Sequence, residues 1–183
     1  MKQLLILSGK GGTGKTTIAS AFVKLSGARA YADCDVDAPN LHLVLKWSQE
    51  PERKPYFGLP KAEIDVDKCV RCGKCMENCR FEAIAFSGKY VVDSFACEGC
   101  GVCAFVCPVG AVALKPAVAG ELMLCRNGEV FSTARLKMGS GTSGLLVTEV
   151  KKQIFEAAAD AELVIIDGSP GIGCPVIASI SGV

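Results

Sequence analysis

Aromatic residues are scarce: one tryptophan, three tyrosines and eight phenylalanines in 183 residues. Histidine is scarcer still. His42 stands alone, with no paired catalytic group evident beside it, and reads as a structural or loop residue. Charge is nearly balanced, at +1 net, and no long basic run occurs. Nucleic-acid binding therefore has no compositional support. Long apolar runs are missing too. The first, in MKQLLILSGKGG, meets glycine-rich polar sequence after Leu7, too soon for the apolar region of a signal peptide. The last, LVIIDGSPGIGCPVIASISGV, is broken by Asp167, Pro170, Pro175 and glycines, so no membrane span is expected.

Cysteine is in excess. There are eleven, an odd count gathered in C-x-x-C runs, which argues against a secreted disulfide framework. The expectation is a cytoplasmic protein whose thiols are reduced or metal-bound. Half of the residues are hydrophobic and glycine is abundant, a globular composition suited to tight loops.

Along the chain, QLLIL (3–7) reads as a strand that ends in a glycine loop, and residues 15–26 read as a helix. ARAYA (28–32) reads as a second strand ending at DCDVDAPN, while LHLVLKW (41–47) stays open between helix and strand. The proline-rich, charged segment near residues 48–62 marks a boundary. After the cysteine runs, Asn127-Gly128 signals a hairpin, and GSGTSG (139–144) a loop. Leu146, Val150, Ile154 and Ala157 then have the spacing of an amphipathic helix. AELVIIDGSPGIG gives a buried strand that ends in an acid and a glycine loop. Alternation of strands and helices points to a parallel α/β sheet.

GKGGTGKT (9–16) fits the phosphate-loop pattern G-x-x-x-x-G-K-[ST] in its confirming context, between a strand and a helix. Gly9, Lys10, Gly11, Gly12, Thr13, Gly14, Lys15, Thr16 and Thr17 are the candidate nucleotide-binding residues. Backbone N–H groups and the helix N-terminus favour phosphate. Lys15 should reach the β- and γ-phosphates of ATP, and the Thr16 hydroxyl should coordinate Mg²⁺. Asp167 ends its strand as a Walker B acid should, near Mg²⁺ and its waters. Asp35 is a candidate for holding Mg²⁺ or orienting the attacking water; Asp33 and Asp37 could instead cap a turn or helix.

C-x-x-C-x-x-C-x-x-x-C occurs twice, 28 residues apart: Cys69, Cys72, Cys75, Cys79 and Cys97, Cys100, Cys103, Cys107. EAIAF (82–86) repeats as GAVAL (110–114). This is the spacing of two-[4Fe–4S] ferredoxins, in which the fourth cysteine of each run serves the other cluster. Three thiolates on a tight loop grip three corners of a cube, and the fourth must arrive from elsewhere. Cys69, Cys72, Cys75 and Cys107 are expected on one cluster, and Cys97, Cys100, Cys103 and Cys79 on the other. Zinc sites more often show pairs separated by a longer loop. Cys107 is followed by the usual proline, whereas Cys79 is followed by Arg80, a neighbour that could tune a potential. Cys34, Cys125 and Cys174 are left over and read as small buried hydrophobes, with a bridging cluster at Cys174 the other possibility. Trp47 and Phe57 read as packing residues.

GKGGTGKTT resembles the deviant phosphate loop of the MinD/ParA and nitrogenase-iron-protein superfamily. The whole pattern resembles those members that carry an inserted two-cluster ferredoxin domain. The resemblance implies an ATPase domain formed by residues 1–60 and 119–183, interrupted by a ferredoxin insert at 61–118. It implies that Lys10 reaches the partner's nucleotide in a sandwich dimer, of like or related subunits, that Asp35 positions water in a first switch, and that DGSPGIG (167–173) forms a second. It implies further strands after residue 167, so a fragment or truncated product is expected. The functional expectation is an ATP-hydrolysing protein whose nucleotide-switched dimer controls electron transfer to a redox partner. The alternative is an ATP-dependent factor that passes iron–sulfur clusters to an acceptor protein, and a positioning switch of the MinD/ParA kind is disfavoured by eight intact ligands.

Overall fold

A computed structural model describes residues 1–47 and 50–183. Ser48 and Gln49, part of the expected boundary segment, lie outside the described residues. In chain order the elements begin with β1 (Lys2–Ser8), α1 (Lys15–Ser26), β2 (Ala30–Asp33), α2 (Leu41–Val44) and β3 (Glu52–Phe57). There follow β4 (Lys61–Ile64), α3 (Lys74–Glu77), β5 (Ile84–Phe86), β6 (Tyr90–Val92), α4 (Val102–Phe105) and β7 (Val112–Lys115). The chain ends with β8 (Val118–Arg126), β9 (Val130–Leu136), α5 (Ser143–Ala157), β10 (Leu163–Pro170) and α6 (Cys174–Ile180). No helix among the described residues is long and apolar enough to cross a membrane.

Two compact units result: Met1–Tyr56 with Gly120–Met138 and Thr142–Val183, and Phe57–Ala119 with Gly139–Gly141. The first unit is built on a six-stranded sheet in the order β1-β10-β2-β9-β8-β3. Short branched apolar runs make its central strands, which are parallel from β1 through β9. Gly128, at φ 69°, supplies the left-handed turn that folds β8 back antiparallel to β9. The parallel sheet expected from the sequence is therefore extended by a hairpin and by β3. That last strand lies within the segment read as a boundary, and it carries Pro55 at the sheet edge, where a missing N–H is tolerated. The open reading of residues 41–47 resolves as the short helix α2.

Side chains alternate across a strand. Tyr31, Phe131 and Ile165 accordingly share one face with Ala19 and Val23 of α1 and Leu41 of α2. Trp47 packs there as expected, its ring 6.1 Å from Tyr31 and 6.0 Å from Phe131. On α5, Leu146, Val147, Val150 and Ile154 are fully buried, and this helix packs on β9, β2 and α6. Helices thus lie on both faces of the sheet. Phe57 departs from its packing role: it is 55% exposed, at the end of the edge strand β3.

The second unit carries the sequence repeat into space. α3 and α4 lie 28 residues apart, as do β5 and β7 and the C-terminal ends of β4 and β6. The strands pair between repeats, not within them. β4 of the first half pairs with β7 of the second, Ile64 opposite Val112. β6 of the second half pairs with β5 of the first, Val92 opposite Ile84. The bond from Asp65 N–H to the Ala111 carbonyl, 2.8 Å, has its counterpart from Asp93 to Ala83 at 2.7 Å.

Candidate functional site

At the C-terminal end of β1, Gly12 (φ 76°) and Gly14 (φ 82°) turn the chain through left-handed conformations into α1. Nothing lies within 4 Å of where a Cβ would stand at Gly9, Gly11, Gly12 or Gly14. The loop is an open cradle, not a packed turn. It lines a cavity of about 340 Å³ with Ser8, Lys15, Thr16, Thr17, Asp35 and Asn40.

Lys15, the first residue of α1, is buried and ion-paired with Oδ1 of fully buried Asp167 at the end of β10. The other carboxylate oxygen, Oδ2, is buried with no partner among the described residues. An orphaned acceptor beside the phosphate loop suits a hydrated Mg²⁺, and the donor set of loop amides, Lys15 and the Thr16 hydroxyl suits a nucleoside triphosphate. Lys10 is exposed on the loop. Its carbonyl accepts from the Ser8 hydroxyl at 3.0 Å and from the Thr13 hydroxyl at 3.4 Å. Gly168 packs so closely on β1 that a Cβ would stand 2.5 Å from Leu7 Cδ2. The Gly171 N–H bonds to the Ser8 carbonyl at 2.9 Å, tying the loop after β10 to the start of the phosphate loop.

Of the two roles open to Asp33, the structure gives the cap. Its carboxylate accepts from the N–H groups of Asp35 at 3.0 Å, and of Asn40 and Leu41 at 2.9 Å each. Burial pushes it up to about 6, with nearby Asp167 acting in the same direction and the three N–H bonds pulling back. Asp33 thereby shapes the loop that presents Asp35 to the cavity. Asp35 is half-buried; burial raises its pKa against the opposing pull of Lys15. Asp37 is exposed.

Sequence reasoning missed Lys151. It is buried on α5 and donates to the carbonyls of Ser179 (2.7 Å), Ala178 (3.3 Å) and Ser181, closing the C-terminal end of α6. Its signal was its place on the apolar stripe, between Val150 and Ile154. Cys34 and Cys125 are buried, as small hydrophobes should be. Cys174 is exposed at the start of α6, close to Gly144 of α5, which corrects its reading as a buried residue.

In the second unit Cys79 lines one cavity together with Cys97, Cys100 and Cys103. Strand pairing causes this: the chain leaves Cys79 along β5, which pairs with β6, and β6 leads into the second triplet. By the same topology Cys107 leads into β7, which pairs with β4, the strand that runs into the first triplet. Cys69 and Cys72 lie close enough to Cys75 to raise its pKa, after burial as the main cause. Burial also opposes ionisation of Cys107, but the backbone N–H groups of residues 109–112 outweigh it and hold that thiol below its ordinary range. Eight thiols in two C-x-x-C-x-x-C-x-x-x-C runs form a donor set that fits two iron–sulfur cubes.

Residues 62–114 match the family described as 4Fe-4S dicluster domain. That stretch contains all eight cysteines of the two repeated runs. An uncharacterised protein of Methanocaldococcus jannaschii is 35% identical over 185 aligned residues, covering 99% of this chain. The chain spans 64% of that relative's length. An uncharacterised ferredoxin of the same organism is 34% identical over 44% of this chain and 56% of its own. The pyruvate synthase subunit PorD of Methanothermobacter marburgensis is 36% identical over 30% of this chain and 65% of its own. Among solved structures, the septum site-determining protein MinD of Pyrococcus horikoshii, complexed with Mg-ADP, aligns with a TM-score of 0.42 at 17% identity. That alignment covers 98% of this chain and 53% of that one. The phosphate loop of this ferredoxin-containing protein stands on its own residues.

Proposed function

We propose that this ferredoxin-containing P-loop protein binds and hydrolyses ATP, and that the nucleotide state of a dimer controls electron transfer through its two clusters. The observation that carries the reading is the buried pair of Lys15 and Asp167, beside an open glycine cradle, in a chain that also holds a dicluster domain. Without nucleotide, Asp167 neutralises Lys15. With ATP bound, Lys15 exchanges carboxylate for phosphate oxygens, which frees Asp167 for the waters of Mg²⁺, and Thr16 supplies a hydroxyl ligand. Asp35 orients the attacking water from the loop that Asp33 holds. The ion-pair exchange bears on the loop after β10, whose Gly171 amide is tied to Ser8, and this gives the chain a two-state element that nucleotide can bias. Lys10, exposed on the loop, is assigned to the nucleotide of the partner protomer.

Cys69, Cys72, Cys75 and Cys107 hold one cluster; Cys97, Cys100, Cys103 and Cys79 hold the other. The clusters supply one-electron chemistry when bound. The similarity of 30% of this chain to PorD, named as a subunit of pyruvate synthase, supports a redox partner for this chain as well.

The test is a redox titration of the iron-loaded protein, with and without Mg-ATP, in the presence of an apo-acceptor. The expected result is a nucleotide-linked shift of potential with iron retained, abolished by Lys15→Ala. ATP-stimulated loss of iron to the acceptor would replace this reading with cluster delivery. Equal nucleotide binding by wild type and Lys15→Ala would remove the ATP site.

A further inference from the structure

We propose that the P-loop unit holds a second small-molecule site, on β8 and β9, and that it binds a small carboxylic acid with a single-ring apolar body. The inference depends on neither the ATP reading nor the cluster reading.

Strand register sets the floor of the site. Cys125, Met123 and Glu121 of β8 lie opposite Phe131, Thr133 and Arg135 of β9. Alternation puts these side chains on one face. Ser132, between them, turns the other way and bonds to the Val150 carbonyl of α5. The floor is therefore graded, apolar at Phe131 and Cys125 and charged at Arg135 and Glu121. His42 of α2, Trp47 and Arg53 of β3 help to wall it. The cavity measures about 140 Å³. A cavity of about 150 Å³ takes up one benzene molecule.

Two polar groups inside lack partners. Thr133 is 4% exposed, and its hydroxyl makes no hydrogen bond among the described residues. The Trp47 indole N–H is buried and equally unbonded. Its neighbour, the Cys125 thiol, is kept protonated by burial and is a weak acceptor. Buried polar groups are normally bonded, and here the missing partner must come from within the cavity.

The charges sort themselves by pairing. Arg53 is held by Glu121 at 2.6 Å and lies 4.0 Å from Glu50. Glu121 stands opposite Arg135 in the ladder, but its carboxylate goes to Arg53. Arg135 is exposed and has no ion pair among the described residues. Burial, and after it Arg135, hold His42 below its ordinary range, so its imidazole is neutral at pH 7. One unpaired guanidinium thus stands at the charged end, beside the Thr133 hydroxyl. That pair of donors suits a carboxylate. A cationic ligand would meet Arg135 and find Glu121 already taken. Trp47 and Phe131, with ring centres 6.0 Å apart, offer an apolar ring the rest of the cavity.

The experiment uses the full, iron-loaded chain, with benzoate as the probe. Trp47 is the only tryptophan in the sequence, so its fluorescence reports on the site, and calorimetry gives a second readout. Benzoate should bind saturably, about tenfold more tightly than benzyl alcohol, which keeps the ring without the charge. Acetate, which keeps the charge without the ring, should bind more weakly too. Arg135→Gln should weaken benzoate about tenfold and leave benzyl alcohol as it was. Thr133→Val removes an unpartnered hydroxyl, so it should weaken benzoate without lowering the thermal midpoint of the unliganded chain. A neighbouring cavity also touches Trp47, from the side of Lys24 and Arg29. Lys24→Gln combined with Arg29→Gln should therefore leave the titration unchanged. Excess inorganic phosphate, the natural occupant of a phosphate loop, should not displace benzoate. The proposal would be overturned by no saturable binding, by equal affinity for benzyl alcohol, or by displacement with phosphate. Benzoate binding that ignores Arg135→Gln and Thr133→Val, or that is lost with Lys24 and Arg29, would overturn it as well.

Discussion

The two units stay folded by different means. In the P-loop unit Tyr31, Phe131, Leu41, Leu146, Ile154, Ile165 and Ile166 are all less than 2% exposed, between helices and a six-stranded sheet. The ferredoxin unit has no side chain buried to that degree. Its core is Ala62, Cys75, Ala83, Ile84, Cys97, Cys103 and Val112, so three of seven core side chains are candidate iron ligands. Its strands are three or four residues long, and each helix is a single turn. A segment of this size buries too little to be secure alone, and ligation makes up the difference. One unit stands on burial, the other on metal.

The strongest way to break that contrast is to remove iron. Chelation under anaerobic conditions should strip hydrogen-exchange protection from residues 61–115 while β1, β10 and α5 keep theirs. If the ferredoxin unit stays protected without iron, its small core suffices and the contrast fails.

Next in size is a change that should strike only the P-loop unit. Lys15→Ala leaves Asp167 buried and unpaired, at a cost of about 3–5 kcal/mol. Denaturant titration should show the loss in the P-loop unit, while the visible absorbance of the clusters is unchanged. A small loss would mean that water already reaches Asp167.

Where the signal was local, the sequence revealed the structure: the phosphate loop, the Asn127-Gly128 hairpin, the stripe of α5 and the repeated cysteines. Pairings between distant segments were harder. β3 is rich in proline and charge and reads as a linker; it becomes a strand because β8, more than sixty residues later, offers an edge. The exchange of strands between repeats joins Ile64 to Val112, and no window of sequence contains both. The site was legible in its residue types and less so in its division of labour. Asp33 and Asp35 look alike in DCDVDAPN; only the three N–H bonds to Asp33 separate the cap from the residue facing the cavity. Lys151 hid because a lysine on an apolar stripe reads as an interruption until the carbonyls it caps are in place.

Within the ferredoxin unit, Gly99→Ala sharpens the comparison further. The added Cβ meets the Pro60 carbonyl oxygen, backbone that cannot rotate away, and it must also hold φ 67°. A loss of about 2–3 kcal/mol is expected, seen as faster cluster loss on heating. Arg71→Ala, at the equivalent position, should cost less than about 0.5 kcal/mol, since one non-glycine residue replaces another. Equal losses would show that the two loops are under the same constraint.

The smallest effect runs the other way. Glu82, at φ 51°, has Gly110 at φ 62° as its counterpart, and Arg71 has Gly99. Left-handed backbone costs a side chain about 1–2 kcal/mol, and glycine returns about 0.5–1 kcal/mol of that through the entropy of the unfolded chain. Glu82→Gly and Arg71→Gly should each therefore gain about 0.5–1 kcal/mol, raising the midpoint of cluster loss by a few degrees. If ligation governs this unit, that gain should appear in the iron-loaded protein and vanish after chelation, because a turn that no longer forms has no strain to release. A gain that survives chelation would mean the turns persist without metal, and that burial carries more of the ferredoxin unit than its core suggests.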